Sequence, residues 1–220
     1  MAAGCLTLVL ASAPLSFAHG IHKATLPVDT PLEEFFRLGV VHMLGGYDHL
    51  LFVLGIAILF ARTADVIKAV TLFTLGHSTT LIVATALGFK LNPTLVDAAI
   101  GLSVAYVGLE IAFARENGPR VRRARIAIFV FGLIHGLGLS TRLQDLGLPT
   151  TRLFERVLAF NIGIEVGQLV ALTAFLAALW VVRRGGWLER IKPPIGAGLR
   201  WGGGLICLYF LSLTLSGTPA

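Results

Sequence analysis

The feature that most constrains this chain is the recurrence of apolar runs long enough to cross a lipid bilayer. A helix rising ~1.5 Å per residue needs roughly 20 apolar residues to traverse a hydrocarbon core of ~30 Å. Backbone N–H and C=O groups find no water there, so helices that satisfy their own hydrogen bonds are the natural solution for such runs. Stretches of this kind lie at 36–60, 66–89, 95–114, 126–143, 153–182 and 199–216. Composition agrees, with 55% hydrophobic and 14% charged residues and a mean hydropathy of +0.82. A soluble domain of 220 residues does not carry that balance. The expected fold is all-α, a polytopic membrane helix bundle of about six transmembrane helices.

Ahead of these spans, 6–17 is an apolar stretch followed by Ser16-Phe17-Ala18, a small-x-small pattern. It predicts a cleavable signal peptide over 1–18, although Met1 to Cys5 carries no Lys or Arg. An extracytoplasmic segment at 19–35 would follow, and then the bundle at 36–217. His19 and His22 would stand at the mature N-terminus and are read as incidental residues of a flexible end. Of the 18 Lys and Arg, twelve fall in the loops after the first, third and fifth spans and six on the opposite side. Basic loops stay in the cytoplasm, so the mature N-terminus is expected outside. This placement accounts for the net charge of +6 and excludes nucleic acid as a partner. Cys5 and Cys207 sit at opposite ends of the chain, which leaves nitrogen and oxygen as the donors of any metal site. Pro27, Pro31, Pro93, Pro149, Pro193 and Pro194 all fall in expected loops.

Ionisable groups inside such spans are costly and usually functional. His42, Asp48 and His49 lie in the first span, His77 in the second, His135 in the fourth, and Asn161 and Glu165 in the fifth. Span midpoints fall near Asp48, His77 and His135, so residues from four helices share a depth. Asn161 and Glu165, at i and i+4, share a helix face that Gln168 extends. His42 and His49 lie two turns apart, about 10 Å in a regular helix, too far to ligate one ion. Either the helix unwinds at Gly45-Gly46 and brings His42 inward, or His42 forms an outer position. Asp97 and Glu110 lie near span ends and are read as interfacial. Imidazole and carboxylate donors without thiolate suit Ni2+, Co2+, Zn2+ or Cu2+. The same residues have structural readings: His77 as an interhelical hydrogen-bonding group, His135 as a polar residue on a glycine seam, and Asn161, Glu165 and Gln168 as a closed network.

His42 followed by five residues and Asp48-His49 forms a His-x5-Asp-His pattern. With Phe73-Thr-Leu-Gly-His77-Ser, Phe131-Gly-Leu-Ile-His135-Gly-Leu-Gly138 and Phe160-Asn161-Ile-Gly-Ile-Glu165-Val-Gly-Gln168, the chain resembles the HupE/UreJ family of bacterial nickel/cobalt permeases, in its second branch. Better-known members carry Phe-His-Gly-x-Ala-x-Gly-x-Glu in a later span. Here Ile134 precedes His135, Arg142 stands at the position of that Glu, and Glu165 would supply the carboxylate. The resemblance implies a secondary permease of the bacterial inner membrane that moves Ni2+ or Co2+ inward. His42 would serve outer capture, and Asp48, His49, His77, His135, Asn161 and Glu165 would form or flank a midplane metal site. The chain has no Walker A motif, so direct ATP hydrolysis is not expected of it. The alternative is an intramembrane zinc-dependent hydrolase using the same ligands, and a third reading is a bis-histidine haem protein. The expected partners are the metal ion and the lipid bilayer, with a homo-oligomer allowed.

Overall fold

The need of a buried backbone to bond to itself is met by helices throughout. The structure is a computed structural model that describes residues 27, 29–60, 62–113, 119–145 and 152–216. The signal peptide expected over 1–18, together with His19, His22, Cys5 and Pro149, lies outside these residues. The described elements are α1 (Leu32–Gly45), α2 (Tyr47–Leu59), α3 (Thr63–Ala86), α4 (Pro93–Ala112), α5 (Pro119–Asp145), α6 (Leu153–Arg184) and α7 (Leu188–Ser216). No strand occurs among the described residues.

Local chemistry sets several boundaries. Asn92 caps α4 by accepting the Thr94 N–H at 2.9 Å. Pro93 follows as the first helical residue, where its missing N–H costs nothing. Gly88 and Gly186 adopt positive φ, 66° and 69°, in the turns that close α3 and α6.

Five helices, α3 to α7, are each long and apolar enough to cross a membrane. The expected first span is instead a broken one: α1 and α2 bend by 65° at Gly46. The last helix also differs from expectation. It begins at Leu188 rather than 199, so Pro193 and Pro194 lie inside it and not in a loop. Its first turns carry Glu189, Arg190 and Lys192, charges that take the segment out of any hydropathy window. Both prolines are exposed at this polar end, where water can meet the carbonyls they leave without helical donors.

Helices pack most extensively as α4 with α7, α3 with α5, and α1 with α6. Each pair meets along glycine. A Cβ on Gly39 would lie 2.0 Å from the Phe160 carbonyl oxygen, and one on Gly163 would lie 2.1 Å from that of Phe36. A Cβ on Gly132 would likewise lie 2.3 Å from the Phe73 carbonyl oxygen, and one on Gly136 2.1 Å from that of His77. A Cβ on Gly108 would lie 2.3 Å from the Arg200 backbone nitrogen, and one on Gly203 2.4 Å from that of Ala105. Without a side chain in the way, backbones approach to van der Waals distance, the usual driving contact between helices in lipid. The seams also report direction. Along α1 and α6, and along α3 and α5, contacts advance together, whereas along α4 and α7 they run oppositely. A chain that alternates direction at each of six spans produces this pattern.

Between the seams lies an apolar core in which Phe35, Phe52, Ile56, Phe160 and Val107 are fully buried. At the basic end, Arg183 Nη2 donates to the Phe60 carbonyl at 3.3 Å, and Arg125 pairs with Asp65 at 2.7 Å. These contacts tie the ends of α2, α3, α5 and α6.

Gly132→Leu is expected to destabilise the protein by on the order of 1–3 kcal/mol, because its side chain would have to displace the α3 backbone. Gly204→Ala, where nothing lies within 4 Å, should leave stability nearly unchanged. Thermal unfolding of both variants in detergent checks this, and equal midpoints would refute the seam's role.

Candidate metal centre

The break at Gly46 builds the centre. Gly46 has φ −79° and ψ 98°, torsions open to most residues, so conformational freedom is not why glycine stands there. Space is the reason. A Cβ at Gly46 would lie 2.9 Å from His49 Nδ1, 3.0 Å from Asp48 Oδ1 and 3.1 Å from the His42 carbonyl oxygen. The Gly46 N–H still closes the last turn of α1 on that carbonyl at 3.0 Å, and α2 starts in a new direction. The His42 and His49 rings, two turns apart in a straight helix, consequently lie 5.1 Å apart between centroids, edge to face. Of the two outcomes open from spacing, the unwound helix is the one observed.

Asp48 organises His49. One carboxylate oxygen, Oδ1, accepts the His49 backbone N–H at 2.9 Å and lies 3.0 Å from His49 Nδ1. A carboxylate oxygen can only accept, so this contact puts a proton on Nδ1; in the neutral ring Nε2 then keeps its lone pair, the arrangement by which a carboxylate orients a metal-binding imidazole. His135 of α5 comes next, its ring 5.3 Å from that of His49. Phe52 and Phe73 wall it at 5.7 and 5.1 Å. His77 of α3 stacks on the far side of Phe73 at 5.9 Å and lies within electrostatic range of His49 and His135.

The structure thus brings His42, Asp48 and His135 each against His49, and places His77 against Phe73, one of the two rings that wall His135. Asn161 and Glu165 form a pair of their own on α6, Asn161 Nδ2 donating to Glu165 Oε1 at 3.1 Å. Their link to the imidazoles shown here is Phe160, whose ring lies 6.1 Å from that of His42. Gln168 accepts from Thr74 Oγ1 of α3 at 2.9 Å, one turn from His77.

Two imidazoles on one ion, with metal–nitrogen bonds of ~2.0–2.1 Å, place their ring centroids about 5 Å apart. The observed ring spacings are on that scale. Even so, among the described residues no group of three or more His, Cys, Asp or Glu side chains is arranged to hold an ion. His77 and His135 are each 2% exposed, and neither ring nitrogen of either residue has a hydrogen-bond partner. Unpaired buried polar atoms cost about 1–3 kcal/mol each, a cost that a bound ion or water at these nitrogens would remove.

Sequence reasoning missed two features. Asp97, near the start of α4, is 3% exposed and holds Arg142 of α5, whose Nη2 reaches both carboxylate oxygens at 2.6 Å. Opposite charges near the same end of the third and fourth spans were the signal that could have found this pair. Phe52 and Phe73 are the second feature: they wall His135, and nothing in their spacing marks them for that role.

Gly46→Ala is expected to push Asp48 and His49 apart and to weaken binding of nickel to the purified protein at least tenfold. Gly45→Ala, with nothing within 4 Å of the added carbon, should bind as the parent does. Calorimetric titration alongside circular dichroism separates loss of the site from loss of fold.

Residues 20–211 match the family described as HupE / UreJ protein. Neither a curated protein nor a solved structure matches the chain. Most of the chain is covered by that match, and the four polar motifs lie inside it: the chain belongs to the HupE/UreJ family of membrane proteins related to nickel and cobalt transport.

Proposed function

We propose that this chain is a secondary permease of the bacterial inner membrane that moves divalent transition-metal ions, Ni2+ or Co2+, into the cell. The observation that carries this reading is the meeting of imidazoles from α1, α2 and α5 around the break at Gly46, inside an otherwise apolar bundle. Nitrogen donors with a nearby carboxylate suit borderline divalent ions. A broken helix is the device by which transporters place ligands at the membrane midplane. The twelve-to-six distribution of basic residues supports a mature N-terminus outside, preceded by a signal peptide over 1–18.

In this reading His42 receives the ion and passes it to His49, which Asp48 holds with Nε2 presented. His135 and His77 supply further nitrogens whose lone pairs have no other use. Asn161 and Glu165 flank the site from α6. Small rotations of the rings would close the cluster on an ion, and loss of one ligand would release it. Metal and protons compete for the same lone pairs, so uptake should release protons from the site and low pH should weaken it.

Cells expressing the parent chain should accumulate radioactive nickel at least tenfold faster than cells expressing Asp48→Ala or His49→Ala at matched protein levels. Equal uptake by all three would sink the permease reading. Purified parent protein in weakly buffered medium should acidify it on addition of nickel chloride, and His49→Ala should do so less. Zinc retained at one per chain through chelation would favour the hydrolase instead.

A further inference from the structure

Arg142 is a cation on the same helix as His135, paired with a buried carboxylate. It lies on α5 seven residues beyond His135, two turns and about 10 Å along the same face, toward the end assigned to the outside. It is within electrostatic range of His49. A fixed positive charge near a site that takes up cations lowers their local concentration and slows their arrival. The bidentate contact from Asp97 cancels that charge and turns the guanidinium toward α4.

The same treatment recurs across the outer face. Arg37, Lys90 and Arg152 are held by Glu34, Asp145 and Glu155 respectively. Among these four pairs Asp97–Arg142 differs in depth: the Asp97 side chain is 3% exposed and Arg142 23%, whereas Lys90 and Asp145 are about half exposed. Exposed pairs contribute little to stability, and salt and water already screen their charges. A buried pair is different, because removing one partner leaves the other charge unscreened.

We propose that Asp97 is a positioning residue for cation entry: by pairing with Arg142 it keeps the outer approach to His49 free of net positive charge. The proposal rests on the permease reading. It predicts an effect that depends on the sign of the remaining charge, which a purely structural ion pair would not show.

The test is nickel uptake over a range of nickel chloride concentrations by cells expressing the full chain, with folded protein quantified by detergent size exclusion. Asp97→Asn, which strands Arg142, should raise KM at least tenfold with maximal rate per folded protein within twofold of the parent. Arg142→Gln, which strands the carboxylate, should hold KM at or below the parent value, and the double variant should return KM to within threefold. An Asp97→Asn chain with the parent's KM would overturn the proposal. So would an Arg142→Gln chain with a KM raised as far as that of Asp97→Asn, the signature of a structural pair. If Asp97→Asn fails to fold, the Arg142→Gln result decides alone. Parent uptake no greater than that of cells lacking the protein would instead overturn the permease reading, and this proposal with it.

Discussion

Backbone-to-backbone contact between helices, possible only where a Cβ is missing, holds this bundle together. Lipid tails are as apolar as leucine, so burying side chains against each other gains little over leaving them in the bilayer. Close approach must supply the attraction, through dispersion summed over many atoms. Gly39 and Gly163 do this for α1 and α6, Gly132 and Gly136 for α3 and α5, and Gly108 and Gly203 for α4 and α7. The polar cluster depends on these seams. Gly136 packs on the carbonyl of His77 itself, and the residue before it is His135. The seam that joins the two helices therefore sets the distance between two of the imidazoles.

Gly46 applies the same principle to a different end. Elsewhere a missing side chain lets a neighbouring helix approach; here it lets one chain fold back on itself. Asp48, His49 and the carbonyl of His42 occupy the space a methyl group would take. The break turns a sequence separation of two helical turns into a ring contact and gives Asp48 the first turn of a new helix. Its carboxylate stands near the positive end of the α2 dipole there. Buried imidazoles without partners would otherwise weigh against the fold. His77 and His135, whose ring nitrogens have no protein partner, lie beside this contact, and the proposed function gives those nitrogens a use.

Charge is organised with equal care. Inside the bundle the Asp97–Arg142 pair balances itself, and on the outer face basic side chains are held by carboxylates. The opposite end keeps many of its arginines exposed, Arg122 and Arg123 among them. In the proposed orientation this difference follows the rule that keeps basic loops in the cytoplasm.

Much of this was legible in the sequence. Apolar runs determined a helical membrane bundle, because hydrocarbon leaves a buried backbone few alternatives. The i, i+4 spacing of Asn161 and Glu165 determined their hydrogen bond, and the matching depths of His49, His77 and His135 determined that they could meet. The sequence left open whether the helix breaks at Gly45-Gly46, because a glycine pair permits a break without requiring one. It did not show that Asp97 is buried against Arg142, because burial depends on which helix lies alongside and not on distance from a span end. It hid Pro193 and Pro194 within a helix, because hydropathy ends where charge begins while the helix continues into the polar boundary. Local periodicity and the demands of lipid reside in the chain itself. Which ring touches which, and which charge is neutralised, is decided only when three glycine-seamed helix pairs close against one another.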